Sequence, residues 1–89
     1  MTPEKKLQLK KQYIKQTNKD IEVIAHSIDD RDSEALAKAV HKVKGSSGFV
    51  GATEILKCCE SIENHIPSSG YKAIQTIFHE LVEHYETFI

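Results

Sequence analysis

HKVKGSSGFVGA, residues 41–52, is the stretch from which the rest of the chain can be read. As an α-helix, with about 100° between successive residues, it places Lys44, Gly45 and Gly48 within roughly 60° of His41. Leu36, Ala39, Val40, Val43, Ser47 and Val50 fall on the opposite side. The segment thus has a packing face, and the imidazole stands on the other face, in solvent. Each Gly on an exposed helix surface costs about 1 kcal/mol against Ala. Two of them beside a His and a Lys leave a strip of bare backbone that something has to approach.

Helical patterning extends from this segment in both directions. Thr2, Pro3 and Glu4 form a helix start, with a capping hydroxyl, a proline in the first turn and an acid near the positive end of the dipole. Apolar residues then recur at Leu7, Ile14, Ile21 and Ile28, with Thr17, Ile24 and Ala25 between them. This predicts one long helix to about Ile28, bent near Asn18, or else broken there with Thr17 and Asp20 capping a second helix. Leu9 and Tyr13 lie off that stripe, either packed against another end of the bundle, or scattered surface apolars, or part of an apolar docking patch. Asp29 to Asp32 form an acidic turn, and Asp32 or Ser33 caps the next helix, which runs to about Ser47. Gly48 to Gly51 reads as a tight connection. A third helix over Ala52 to His65 buries Ala52, Ile55, Cys59, Ile62 and Ile66, and Pro67 to Gly70 end it. Tyr71, Ile74, Phe78, Leu81, Tyr85 and Phe88 give a fourth helix the same rhythm, widened by Ile77.

The fold class that follows is all-α, an antiparallel up-down four-helix bundle with room for an extra N-terminal helical extension. Its 89 residues make one domain with a compact core, and 39% hydrophobic with 28% charged residues is a globular composition. A formal net charge of −1 argues against a nucleic-acid module, which needs a strongly basic surface. The charges are nevertheless sorted: residues 1–19 carry six Lys and one Glu, and residues 20–34 carry six acids and one Arg. Over residues 35–57 the sequence has Lys38, Lys42, Lys44 and Lys57 against Glu54 alone, so the segment bearing His41 is locally basic, suited to a phosphate and to an acidic partner. No apolar run approaches the roughly 18 residues of a membrane span. Cys58 and Cys59 are adjacent and poorly placed for a mutual disulfide, which points to free thiols in a reducing compartment and hence the cytoplasm.

The order HxxKGSS, then Gly51 and Ala52, Ile55, Cys59, and a closing Ile62 and Glu63 resembles the histidine-containing phosphotransfer (HPt) domain of multistep two-component phosphorelays. Val43 stands where Leu is commoner, and the flanking helices extend the likeness to most of the chain, read as a single HPt domain over 1–89. The resemblance implies that His41 accepts a phosphoryl group on its outer ring nitrogen and that Lys44 stabilises it. It also implies that Gly45 and Gly48 give clearance to phosphate and partner. Donors and acceptors would be aspartates of response-regulator receiver domains, whose acidic pockets carry Mg²⁺, so this chain itself is expected to need no cofactor. A hybrid sensor histidine kinase is a further expected partner, and would anchor the parent protein at a membrane if this is one of its domains. The domain would be a carrier without its own ATP site, and a monomer is the simpler expectation.

The chemistry is consistent with that assignment. A neutral imidazole, with an ordinary pKa of about 6.5, is a competent nucleophile near neutrality. Phosphoryl transfer needs mainly positioning and cations on the phosphoryl oxygens. Lys44 lies one turn from His41 and Lys38 three residues before it, while Leu9 and Tyr13 are the candidates for receiver docking. Ser47 falls on the core side, packed tightly or bonded to a backbone carbonyl. The alternative function is a bundle adaptor that binds a receiver or kinase without being phosphorylated. HELVEH, residues 79–84, begins like a zinc-protease motif, but its histidines are five apart and cannot easily share an ion. Cys59 reads as core and Cys58 as its partly exposed neighbour.

Overall fold

A computed structural model describes residues 2–89 and contains four helices: α1 (Pro3–Asp30), α2 (Ser33–Val50), α3 (Thr53–His65) and α4 (Tyr71–Phe88). They pack in sequence order, α1 on α2, α2 on α3 and α3 on α4, with α4 closing on α1 over a smaller area. The result is an elongated antiparallel bundle of 43 × 18 × 18 Å. Among the described residues no helix is long and apolar enough to cross a membrane.

Capping explains the boundaries. Thr2 accepts a hydrogen bond from the Lys5 amide at 3.2 Å and Pro3 opens α1. Asp32 caps α2 by accepting from the Ala35 amide at 3.1 Å. Between them Arg31, at φ 53°, turns the chain in a two-residue connection shorter than the Asp29–Asp32 turn expected from the sequence. The expected break at Gly48 is absent. α2 runs on to Val50 and ends at Gly51, whose φ of 76° gives the left-handed cap that glycine adopts without strain. Both Gly45 and Gly48 are therefore inside a helix.

The α1 seam differs from the expected one. α1 is continuous, and its buried positions are Tyr13, Thr17, Asp20, Ile24, Ser27 and Ile28. Thr17 and Asp20 face the core instead of capping a second helix, and Leu7 is 54% exposed. Thr17, Ile24 and Ile28 of the expected stripe are buried, Ile14 and Ile21 pack at its edge, and Tyr13, Asp20 and Ser27 complete the seam. The N-terminal extension is the exposed first turns of α1 itself, Pro3 to Gln8.

Ile24, Leu36, Val40, Val43, Ile55, Ile62, Ile74 and Leu81 fill the centre. Fully burying each such side chain stabilises by about 1.5–3 kcal/mol. Cys58 is buried alongside Cys59 and both thiols are free, which corrects the half-exposed position expected for Cys58. Burial pushes the Cys59 thiol up to about 12.

Candidate functional site

His41 stands at the middle of the outward face of α2, its side chain 78% exposed. The reason is rotational: Leu36, Ala39, Val40, Val43 and Ser47 occupy the buried side of the same helix. Gly45 and Gly48 lie on the exposed side, and a Cβ built at either would meet nothing within 4 Å. Neither packing nor backbone conformation in the bundle calls for glycine there. The two positions keep a shallow bare strip next to the imidazole.

α3 supplies a group that sequence patterning left without a role. Glu63, its side chain 28% exposed, accepts a hydrogen bond from Lys44 Nζ at 3.0 Å through Oε1. Its other oxygen, Oε2, is 3.7 Å from His41 Nδ1. That bond, with the carboxylate's charge, holds the Lys44 ammonium above its ordinary pKa, so Lys44 is a firm cation at neutral pH. His41, Lys44 and Glu63 thus form one cluster, bridging α2 and α3. The only sequence signal for Glu63 was its place at the end of the apolar-Glu pair, because its role depends on which helix packs beside α2.

On the opposite flank, α1 contributes Asp20. This carboxylate is buried to 3% exposure and is met by Lys42 Nζ at 3.2 Å and Gln16 Nε2 at 3.2 Å. A buried carboxylate without partners would be strongly unfavourable, so Lys42 and Gln16 are what allow an acid between α1 and α2. Lys38 points into solvent and pairs with Glu34 at 3.5 Å, an exposed contact of little energetic weight.

The candidate docking residues separate. Tyr13 is 4% exposed, and its hydroxyl shares a 2.8 Å hydrogen bond with Ser47 Oγ. It also packs edge-on against Phe88, with centroids 5.4 Å apart. Tyr13 is consequently a core residue and not a docking surface, because its ring lies on the true α1 seam. Ser47 is bonded to this hydroxyl and not to a backbone carbonyl, whereas Ser46 Oγ donates to the Lys42 and Val43 carbonyls. Leu9 is half-buried and lines a groove together with Phe49, which is 71% exposed and lies on the last turn of α2 instead of in the connection expected over Gly48 to Gly51. His79 and His84 are both exposed on α4. Among the described residues no group of three or more His, Cys, Asp or Glu is arranged to hold an ion.

A family model described as "Hpt domain" matches residues 8–87, nearly the whole chain. No curated protein matches significantly, and no solved structure does.

Proposed function

The chain belongs to the Hpt domain family, and on that premise we propose that His41 is the phosphoacceptor of a phosphorelay intermediate. Hpt domains carry phosphoryl groups in two-component phosphorelays, interacting with receiver domains and kinases and using no ATP site of their own. In this reading His41 takes the group from the aspartyl phosphate of one receiver and gives it to the aspartate of another. The observation that carries it is the outward imidazole beside a Lys44–Glu63 pair and two helical glycines that the bundle does not require.

The transfer follows from this arrangement. The lone pair of Nε2 attacks phosphorus, the acyl P–O bond breaks, and the receiver carboxylate leaves with that electron pair. Nδ1 keeps its proton, so the product ring is a cation, and Glu63 beside Nδ1 offsets that charge. Nε2 is the nitrogen left free, since Nδ1 is the one facing Glu63. Lys44, held one turn away, meets the phosphoryl oxygens, with Lys38 adding a weaker and more screened charge. Gly45 and Gly48 leave space for the phosphate and for the receiver's loops, and Leu9 is a contact for the receiver. The reverse sequence passes the group on, and the reaction consumes no water or nucleotide.

Incubation with a phosphorylated receiver tests the proposal. The expected product is acid-labile, base-stable phosphate on the protein, absent in His41→Gln. Equal labelling of His41→Gln overturns the assignment of His41. Stable receiver binding without any label on the wild type would make the chain an adaptor instead.

A further inference from the structure

The seam between α1 and α4 is the least filled of the four in the bundle. Ile14, Ile21 and Ala25 of α1 and Phe78 and Val82 of α4 are only half-buried along it, and Leu7, on the stripe of Ile14 and Ile21, is 54% exposed. A groove of about 300 Å³ opens where Ala25 faces Phe78. Contacts across the seam fix the relative heights of these two antiparallel helices. The Tyr85 hydroxyl lies 3.0 Å from the Ile14 carbonyl oxygen and 2.6 Å from Asn18 Oδ1, and at the other end Asp29 and Lys72 border one cavity. Stepping along both helices at the same rise then puts Lys15 level with Glu86, Glu22 with His79, and Asp29 with Lys72.

These six exposed residues recur at heptad spacing on each helix, and at every level one helix carries an acid where the other carries a base. Among the described residues, none of the six forms an ion pair within the chain. We propose that this face pairs with a second copy of the chain about a twofold axis parallel to the helices, in place of the monomer expected from the sequence. Such an axis lays α1 on the partner's α4 at the same level. The half-buried apolar stripe of each copy is then covered by that of the other, and each acid meets a base across the interface. Charge decides the occupant. A face whose two columns are opposite in sign at every level is complementary to itself, whereas an anionic membrane would meet Glu22, Asp29 and Glu86. A twofold axis across the helices would instead set Glu22 on Glu22 and His79 on His79. From Leu7 to Ile28 the stripe is about 32 Å long, and the bundle is 18 Å wide. Pairing therefore buries on the order of 1,200 Å² in total, the lower end for a specific interface, so a reversible dimer is expected. The face lies opposite the α2–α3 seam where His41, Lys44 and Glu63 cluster, so both imidazoles stay accessible. The inference is independent of the role proposed for His41.

Sedimentation equilibrium tests the pairing, with thermal melts to verify that each variant folds. The wild type is expected to show a monomer–dimer equilibrium with a dissociation constant on the order of 10 µM. Lys15→Glu alone and Glu86→Lys alone are each expected to raise that constant about tenfold, because either change puts two like-charged pairs into the interface. Mixed in equal amounts, the two variants are expected to dimerise with nearly the wild-type constant, since each contact in the mixed pair again joins an acid to a base. A chain carrying both substitutions is expected to do the same. With the axis across the helices Lys15 would face Asp29 of the partner subunit, and neither the mixture nor the double variant would recover. A wild type that stays monomeric up to about 500 µM overturns the proposal and leaves the seam to a different protein. Dimers that ignore both reversals, or that are weakened by them without recovery in the mixture, overturn the pairing of α1 with the partner's α4.

Discussion

The free oxygen of the Glu63 carboxylate faces Nδ1 of His41 at 3.7 Å, from one helix to the next. A negative charge there favours the proton on Nδ1 and, under the proposed transfer, would steady the cationic ring that it forms. Replacing Glu63 by Gln removes the charge and keeps the shape. We expect transfer from a receiver to slow by about tenfold, about 1.4 kcal/mol in the barrier. Nitrogen-15 NMR of His41 should show a smaller Nδ1–H fraction at the same time. Unchanged tautomer populations with unchanged rates would remove Glu63 from the site.

Gly45→Ala and Gly48→Ala should each stabilise the protein by about 0.5–1 kcal/mol, because a Cβ meets nothing at either position and alanine is the better helix former. Both should slow receiver-driven transfer, since the added methyl groups occupy the bare strip beside His41. Urea denaturation and transfer rates measured on the same variants check the pair of effects. Gly51→Ala should behave oppositely, losing about 1 kcal/mol at its left-handed φ of 76° with little effect on transfer.

Tyr13→Phe leaves Ser47 without its buried partner, and Ser47→Ala does the same to the Tyr13 hydroxyl. Each should cost about 1–3 kcal/mol in urea denaturation. The double variant should lose clearly less than the sum, because neither group is then left unpaired. Additive losses would mean that the 2.8 Å contact is not a coupled hydrogen bond.

Cys59 gives an alkaline signature. Its folded-state pKa of about 12 lies above its ordinary 9.0, so the native protein holds the thiol proton more tightly than the unfolded chain does. Stability from this group is complete below about pH 9 and is lost as pH rises from there to about 12. Burial also raises Tyr13 and Tyr85 above 10.0, steepening the upper part of the same decline. Cys59→Ala should flatten the slope of unfolding free energy between about pH 9 and 11. In the native protein at pH 8, Cys59 should resist iodoacetamide and react only after denaturation.

The four helices and the outward His41 were legible in the sequence because both follow from helical periodicity alone. The α1 seam was legible only in part: Thr17, Ile24 and Ile28 lie on it as the repeat indicates, but Asp20 and Ser27 are polar residues on its buried side, and a search for apolar repeats shifts the stripe toward Ile14 and Ile21. Ser27 is accommodated by donating to the Val23 carbonyl at 2.7 Å, and Asp20 by Lys42 and Gln16, neither of which a composition pattern reveals. Tyr13 was misplaced for the same reason. Gly48 suggested a loop by residue type, and that reading also hid Phe49 as an exposed helical side chain. Glu63 needed the packing of α3 beside α2 before its two contacts could be seen.

The two lysines that follow His41 in sequence are drawn in opposite directions, Lys42 toward α1 through Asp20 and Lys44 toward α3 through Glu63. Two lateral stays of this kind oppose any roll of α2 about its own long axis. A roll of one residue, about 100°, would carry the imidazole from the open face into a neighbouring helix. The azimuth of the ring is thereby set by charge as well as by the apolar side of α2, and in the proposed relay a receiver would meet it already aimed.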